Sequence, residues 1–348
     1  LSETDAAEIK LKPETLNRLA EIGIKRVAVV FQGVEISVPT AALKDGAVLT
    51  VEKRPRSGAG RKPVQADVDS AVVSDIFEIE ITPAGGGDPI SDFDPPVELR
   101  IPVSDAERFD PDLLTLAKLE GDKWVYLLGK YDSENGTVVG LRPTLSAYAA
   151  VERKVSFDDL APVRSWAERD IRIAAAKGIV VGDGKGRFRP TDTVTRAEFV
   201  KMLAVTFGLT DPGAGAGSGS GSGAADRFID VNDGDWFKTY VAAALSAGIA
   251  EGRTVDRFAP NDPITRQEMA YMIGRALLRY TGAPKAADPD AVLEAFADAS
   301  DFGGRYKAEI AVTVADGVMV GAGHRFRPQD FATRAEAAVV IRRLIDLL

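Results

Sequence analysis

The sequence contains no cysteine and one histidine, His324, among its 348 residues. Without a thiol the chain cannot form a disulfide or offer a thiolate to a metal ion. One imidazole is too few for a multi-histidine metal site, and a histidine-based catalytic triad is nearly excluded. The composition therefore predicts no metal ion, no cofactor and no catalytic centre of these kinds.

Long apolar runs and an excess of basic residues are also missing. No run approaches the ~20 apolar residues that a membrane-spanning helix needs. Residues 1–154 carry 19 Lys and Arg against 26 Asp and Glu, and residues 155–348 carry 24 against 26. A nucleic-acid-binding surface needs a basic excess. We therefore expect neither nucleic acid binding nor membrane insertion, and any bound anion must be held by a few placed cations.

The first residues lack an initiator Met and the pattern of a signal peptide. We therefore expect the chain to be a processed mature protein or an internal fragment.

A threefold repeat is the strongest feature that the sequence does contain. Four landmarks recur in the same order: F-x-D, a Gly after an alanine-rich stretch, R-F-x-P and T-R-x-E. The F-x-D copies begin at Phe157, Phe228 and Phe296, the R-F-x-P copies at Arg187, Arg257 and Arg325, and the T-R-x-E copies at Thr195, Thr265 and Thr333. The T-R-x-E copies are 70 and 68 residues apart, a register that chance does not maintain.

Each repeat is predicted to be a helix–loop–helix unit. After T-R-x-E, apolar residues recur at the spacing of one helix face, such as Phe199, Met202 and Leu203. Thr-x-x-Glu is a capping box, in which Thr and Glu satisfy amides at the helix start. The stretches Trp166–Lys177 and Trp236–Ala247 are predicted first helices that end at a Gly. Such units bury their apolar faces only when they pack together.

Capping does not explain the Arg of each T-R-x-E. A cation in the first turn faces the positive end of the helix dipole, which costs roughly 0.3–1 kcal/mol. We expect Arg196, Arg266 and Arg334 to point to solvent and to bind a carboxylate or phosphate, which guanidinium groups and helix N-termini both suit. The alternative is a pair within the chain, for example with the Asp of F-x-D.

Two further residue types are candidates for ligand contact. Trp166 and Trp236 open the first helices of repeats one and two, as core residues or as stacking platforms. The Asp of each F-x-D element is expected to cap the following helix, to accept sugar hydroxyls, or to do both. These aspartates are Asp159, Asp230 and Asp298. The Phe of each R-F-x-P element is predicted to lie in the core.

Together these elements resemble the surface-layer homology family, from Phe157 to the C-terminus. The resemblance implies a pseudo-threefold bundle whose grooves bind a secondary cell-wall polysaccharide associated with peptidoglycan, commonly one with pyruvate ketals on N-acetylmannosamine. It implies that the three arginines meet the carboxylate. It also implies that the aspartates, the tryptophans and the loop glycines Gly182, Gly184, Gly252 and Gly321 contact the sugar. Repeat three departs from the pattern, because Gly303–Tyr306 stands where Trp belongs.

The N-terminal half is predicted to be an antiparallel β-sandwich that follows a short helix at Leu11–Ile22. Turn-rich stretches separate about nine short β-rich runs. These are Arg26–Phe31, Val34–Val38, Val48–Lys53, Ile76–Thr82, Val97–Val103, Leu114–Leu119, Trp124–Leu128, Thr137–Leu141 and Ala147–Val151. Its acids, such as Asp75, Glu78 and Glu80, alternate along the strands as on a solvated surface, so no paired-carboxylate hydrolase site is predicted.

The sequence thus predicts an α+β protein of two domains, with a β-sandwich at 1–154 and an all-α bundle of repeats at 155–212, 224–285 and 286–348. A Gly/Ser linker is predicted at 213–223. The leading hypothesis is a non-catalytic, extracellular anchor at the bacterial cell wall. The alternatives are a wall-anchored fragment of a polysaccharide-degrading enzyme and a structural surface-layer lattice protein.

Overall fold

The computed structural model describes residues 5–55, 68–91, 93, 95–121, 123–210, 223–283 and 286–348. The chain divides into two compact units, Leu1–Ser156 with Ala175–Gly178, and Phe157–Ala174 with Ile179–Leu348. The predicted linker at 213–223 lies outside the described residues except for Gly223. None of the described helices has the length and hydropathy required to cross a membrane.

The described residues between 5 and 155 form one α-helix, α1 (Pro13–Glu21), and two antiparallel sheets. The chain begins with β1 (Ala6–Leu11) and α1 (Pro13–Glu21). The remaining strands are β2 (Arg26–Phe31), β3 (Val34–Pro39), β4 (Ala47–Arg54), β5 (Val68–Val72), β6 (Ile76–Pro83), β7 (Val97–Pro102), β8 (Leu114–Glu120), β9 (Lys123–Leu127), β10 (Lys130–Asp132), β11 (Thr137–Arg142) and β12 (Ala147–Val155). One sheet has the order β1-β4-β6-β12-β8-β9 with β5 also on β12, and the other has the order β10-β11-β7-β3-β2.

The sandwich prediction is confirmed, and its core follows from the two-residue period of a strand. On β12, Tyr148 and Ala150 belong to the large apolar core, which also contains residues of β3 and β7 from the second sheet. The alternate residues Ala147, Ala149 and Val151 belong to separate small clusters. Strands β1, β5 and β10 were not predicted from the sequence. These strands are short or poor in large apolar residues, so pairing with a neighbour defines them more than local pattern does.

The second unit is helical, as predicted. Its helices are α2 (Glu168–Ala176), α3 (Arg196–Thr206), α4 (Lys238–Ser246), α5 (Arg266–Tyr280), α6 (Pro289–Leu293), α7 (Lys307–Ala315) and α8 (Arg334–Leu347). In each repeat the first helix is followed by a Gly with φ between 68° and 72°, at Gly178, Gly248 and Gly317. The left-handed conformation at these glycines ends the helix. The first helices start two residues later than predicted, so that Trp166 and Trp236 precede them.

A closed ring of backbone hydrogen bonds joins the three repeats just before their second helices. The amide of Val194 donates to Ala332 O, that of Ala332 to Ile264 O, and that of Ile264 to Val194 O, each at 3.0 Å. Every repeat thus donates to one neighbour and accepts from the other. The apolar side chains of these three residues are fully buried, so the ring lies in the interior of the unit.

Candidate functional site

The T-R-x-E elements form the predicted capping boxes. Thr195 Oγ1 accepts from the amide of Glu198 at 3.2 Å, and Glu198 Oε2 accepts from the amide of Thr195 at 2.8 Å. The same reciprocal pair occurs at Thr265 with Glu268 and at Thr333 with Glu336. The prediction that Thr and Glu serve the helix start is therefore confirmed.

The next two amides of each second helix are satisfied by the neighbouring repeat. In α3 the amides of Arg196 and Ala197 donate to Asp262 O at 3.0 Å and Pro260 O at 2.9 Å. The equivalent bonds run from Arg266 to Asp330, Gln267 to Pro328, Arg334 to Asp192 and Ala335 to Pro190. These are the groups with which a helix N-terminus would hold an anion. In this unit carbonyl oxygens already occupy them.

The three arginines do not point to solvent, contrary to the sequence-based expectation. The side chain of Arg196 is 3% exposed. Its guanidinium donates to Phe258 O, Glu251 O and Glu268 Oε1, each at 3.0 Å. It also lies over the ring of Phe258, 5.0 Å from the centroid. Every member of this set except the arginine belongs to repeat two.

The same arrangement is repeated around the unit. Arg266 of repeat two binds Glu336, Phe326 O and Val320 O of repeat three. Arg334 of repeat three closes the circle on Glu198, Phe188 O and Val181 O of repeat one. The partner within the chain is thus the capping-box Glu of the next repeat, and not the Asp of F-x-D. One carboxylate oxygen of that Glu serves the helix cap and the other serves the arginine.

Burial sets the electrostatics of this ring. It lowers the pKa of Arg196 and of Arg266, although the carboxylates of Glu268 and Glu336 oppose that shift. For Glu268, burial favours the neutral form, but hydrogen bonds from Arg253 and the charge of Arg196 outweigh it and lower the pKa. The pairs therefore stay ionised inside the unit, where leaving either partner alone is costly.

The aspartates of F-x-D hold a strained loop in place. Asp230 accepts the amides of Phe258 and Ala259, both at 2.9 Å, one on each carboxylate oxygen. Asp159 and Asp298 do the same in repeats one and three. The x residue of each R-F-x-P has a φ near +60°, at Arg189, Ala259 and Arg327, which is uncommon for a residue other than Gly. The Phe of R-F-x-P is fully buried in all three repeats, as predicted.

Three of the four predicted glycines are needed by close packing. A Cβ at Gly252 would lie 2.5 Å from the ring of Phe228 and 2.5 Å from Thr254 O. Gly182 and Gly321 approach Phe157 and Phe296 in the same way. Gly184 instead has a φ of +73° and open space around it. These glycines fit the F-x-D phenylalanine against the loop whether or not they also contact a ligand.

The two tryptophans are largely exposed. Trp166 is 49% exposed and Trp236 is 54% exposed, which is unusual for so large an apolar side chain. In repeat three the residue twelve positions before the terminating Gly is Arg305, at the place of the tryptophans. Of the predicted site residues with large side chains, the tryptophans are therefore the ones most open to a ligand.

One cavity of about 190 Å³ brings together two of the predicted site residues, Trp236 and Arg334. We call it groove 1. Its lining comes from all three repeats: Ile179, Val180, Val181, Glu198, Lys201 and Met202 of repeat one, Trp236 of repeat two, and Arg334 of repeat three. It combines an apolar wall, an aromatic face and cations, as ligand-binding clefts commonly do.

The equivalent positions of repeats two and three, which we call groove 2, carry different chemistry. Glu251 stands where groove 1 has Val181, and Arg305 stands where it has Trp236. The two side chains form an ion pair at 3.2 Å. Tyr271 also donates to Glu251 at 3.1 Å. Charged residues of the chain itself thus replace an apolar pair.

Lys201, Glu251 and Arg305 were not predicted as site residues. Lys201 is the one cation in an otherwise apolar run from Phe199 to Val205, and that interruption was a usable signal. Glu251 and Arg305 are 54 residues apart, and only the tertiary structure shows that they pair. That the twelve predicted residues bind glycan stays a prediction.

The acids of the first unit lie beside cations. Glu78 and Glu52 both pair with Arg54, and Asp75 pairs with Lys53 at 3.1 Å. The two pairs of Arg54 are exposed and the pair of Lys53 with Asp75 is partly exposed, and such pairs contribute little to stability. Among the described residues, no group of three or more His, Asp or Glu side chains is arranged to hold a metal ion.

Comparison with known proteins assigns the repeats to a family. The S-layer homology domain model matches residues 156–200, 227–270 and 295–338. The chain is 31% identical over 192 residues to the S-layer protein sap of Bacillus anthracis, which is 54% of this chain and 21% of that protein. It is 30% identical over 277 residues to an amylopullulanase of Thermoanaerobacterium thermosulfurigenes, covering 79% of this chain and 14% of that protein.

A third relative is endo-1,4-beta-xylanase A of Thermoanaerobacterium saccharolyticum, 37% identical over 120 residues, or 34% of this chain and 9% of that protein. The chain thus spans about a fifth or less of the length of these relatives. The matched residues include all three F-x-D, R-F-x-P and T-R-x-E elements. The chain therefore carries three S-layer homology domains and belongs with the bacterial proteins that bear such domains at the cell surface and wall.

Proposed function

We propose that this chain attaches a bacterial surface protein to the cell wall without a covalent bond. It does so by holding an anionic secondary cell-wall polysaccharide, one with pyruvylated N-acetylmannosamine, between its S-layer homology domains. The observation that carries the proposal is groove 1, where the exposed Trp236 borders a cavity that also contains Arg334 and Lys201. An aromatic face beside cations suits a sugar ring with an acidic substituent.

Under this proposal the predicted residues divide into two groups. Trp166 and Trp236 contact the polymer directly, since about half of each side chain is exposed. Arg196, Arg266, the aspartates and the glycines Gly182, Gly252 and Gly321 shape the grooves, because their polar atoms or close contacts are used within the unit, whereas a Cβ at Gly184 would meet no atom within 4 Å. Of the arginines, Arg334 retains the most exposure, 13% of its side chain, so it is the arginine we expect to meet the ligand.

Repetition favours attachment to a polymer. A chain with two or more weak sites on one body gains avidity of ~10²–10⁴-fold when the ligand repeats its epitope. Trp166 is as exposed as Trp236, and Val320 is exposed in the loop that corresponds to that of Val181. We propose that repeat three and Trp166 form a second site of the groove 1 type.

The chain itself is proposed to be a binding module without catalytic activity. Relatives that are named as enzymes include an amylopullulanase and a xylanase. The second candidate function is therefore the wall-anchoring part of a polysaccharide-degrading enzyme, and surface-layer relatives favour a lattice protein as a third. Release of reducing ends from wall or plant polysaccharides by this chain would contradict the non-catalytic proposal.

The proposal is tested by co-sedimentation of the chain with purified cell-wall sacculi. We expect the chain to pellet with untreated sacculi and to stay in the supernatant after mild acid has removed the pyruvate ketals. A matched sample of sacculi, incubated at neutral pH, controls for loss of polymer during treatment. Undiminished binding to the acid-treated sacculi would contradict the role of the pyruvate carboxylate.

A further inference from the structure

Lys201 is a half-buried cation in groove 1. It lies on α3, one turn beyond the capping-box Glu198, and its side chain lines the cavity together with Trp236. Within the described part of the chain, no hydrogen bond or ion pair joins its ammonium to another residue. A cation in such a position normally has a partner.

The charged neighbours of Lys201 do not supply that partner. The carboxylate of Glu198 is engaged by Arg334 at 2.5 Å through Oε1 and by the amide of Thr195 at 2.8 Å through Oε2. Burial lowers the pKa of Lys201, the charge of Arg334 lowers it further, and Glu198 only partly opposes these effects. Groove 1 thus contains two cations and one carboxylate, which leaves one positive charge to be balanced.

The other two repeats do not have this charge. The residue six positions after the capping Thr is Lys201 in repeat one, Tyr271 in repeat two and Val339 in repeat three. The hydroxyl of Tyr271 is already bonded to Glu251 at 3.1 Å and to Arg275 at 2.6 Å. The unbalanced cation therefore distinguishes groove 1 from its two counterparts.

Resting on the proposed function, we infer that Lys201 is the specificity-determining residue of groove 1 and supplies the charge that binds the acidic substituent of the wall glycan. The three T-R-x-E arginines build the grooves, Arg334 also faces the ligand in groove 1, and Lys201 gives groove 1 its selectivity for an anion. Groove 2 balances its own charges through the pair of Glu251 with Arg305 and does not select a charged sugar.

The test compares three variants with the wild-type chain, Lys201→Met, Lys201→Arg and Lys185→Met. Methionine keeps the length and apolar stem of lysine but removes the charge. Arginine keeps the charge. Lys185 is an exposed lysine in the loop of the same repeat, so its substitution removes an equal charge outside the groove.

Binding to purified sacculi is measured by co-sedimentation at two salt concentrations, and folding by thermal unfolding. A charge-assisted hydrogen bond contributes ~1.5–3 kcal/mol, so we expect Lys201→Met to weaken binding about 10-fold or more and to reduce its salt dependence. Lys201→Arg should retain most of the affinity, and Lys185→Met should match the wild type. Lys201→Met should unfold at the wild-type temperature or above it, because it removes a half-buried, unpaired charge.

Two treatments of the sacculi distinguish a pyruvate carboxylate from a phosphate as the bound anion. Mild acid removes pyruvate ketals, and hydrofluoric acid cleaves phosphodiesters. The treatment that removes the ligand should abolish the difference between the wild type and Lys201→Met. Equal binding by the wild type and Lys201→Met to untreated sacculi would overturn the inference alone. Failure of the wild type to bind untreated sacculi would instead overturn the proposed function, and the inference with it.

Discussion

The arginine of each T-R-x-E element links two neighbouring repeats. Arg266 donates to two carbonyl oxygens and one carboxylate of repeat three, and only 8% of its side chain is exposed. Its position at the start of a helix costs little here, because carbonyl oxygens of the neighbouring repeat face the same helix end. The unfavourable position seen in the sequence is thus explained by intramolecular partners.

Substitution of this arginine should destabilise the repeat unit. Arg266→Ala removes the donor of two carbonyl oxygens and the nearest cation of Glu336, and breaking such a buried pair costs about 3 kcal/mol. We expect that loss in the free energy of unfolding, measured by urea titration. Arg257→Ala is the control, since Arg257 is an exposed arginine of the same repeat and should change stability by less than ~0.5 kcal/mol. A fully stable Arg266→Ala chain that has lost wall binding would instead favour a direct ligand contact.

At the scale of elements, three kinds of contact fix the loop between the two helices of each repeat. The F-x-D carboxylate binds two amides, the R-F-x-P phenylalanine is buried, and a glycine allows close approach to the F-x-D phenylalanine. Asp230, Phe258 and Gly252 are the copies in repeat two. These contacts explain why F-x-D, the loop glycine and R-F-x-P recur together in each repeat.

The glycine is the sharpest test of this loop. Gly252→Ala would bring a Cβ within 2.5 Å of Phe228 and of Thr254 O, and overpacking of this kind costs about 1–3 kcal/mol. We expect a corresponding decrease in thermal stability. Gly234→Ala is the matched control in the same repeat, because a Cβ there would meet nothing within 4 Å. Equal melting temperatures for the two variants would show that the loop tolerates the extra atom.

At the scale of the molecule, the repeat unit is a closed ring. Each second helix takes its amide acceptors and its arginine partners from the next repeat, and the third repeat binds the first. Stability is therefore not a sum of independent repeats, as it would be in an open array.

Deletion of residues 286–348 should remove the carbonyl oxygens that accept from the first amides of α5, and it should also remove Glu336, the partner of Arg266. We expect repeats one and two to lose their cooperative unfolding transition, followed by the fluorescence of Trp236 in urea. Removal of the exposed residues 346–348 alone is the control and should leave the transition in place. A cooperative transition in the longer deletion at the wild-type urea concentration would mean that two repeats suffice.

The sequence by itself determined the repeats, their helices, the capping boxes and the sandwich. The helices and capping boxes rest on contacts close along the chain, such as the bond from the amide of Glu198 to Thr195 three residues away. The strands were located by local alternation, although several pair with distant neighbours, such as β6 with β12. The local pattern also identified Trp166 and Trp236 as candidate site residues, but it did not predict that they are exposed. The expectation that the arginines point to solvent was wrong. It arose because helix capping explains the Thr and Glu of T-R-x-E but not the charge of the Arg.

Only the tertiary structure decided where those charges go. Arg196 meets Glu268 72 residues along the chain, and Arg334 meets Glu198 136 residues away. No local spacing encodes such partners, because they depend on the three repeats closing into a ring. When the ring closes, each arginine binds the capping-box Glu of the next repeat. Lys201 is then the unbalanced cation of groove 1, and Glu251 pairs with Arg305 in groove 2. The physical reason is that burial removes water from these charges, which favours a partner across the fold for each arginine and glutamate of the ring and leaves Lys201 to be balanced from outside the chain.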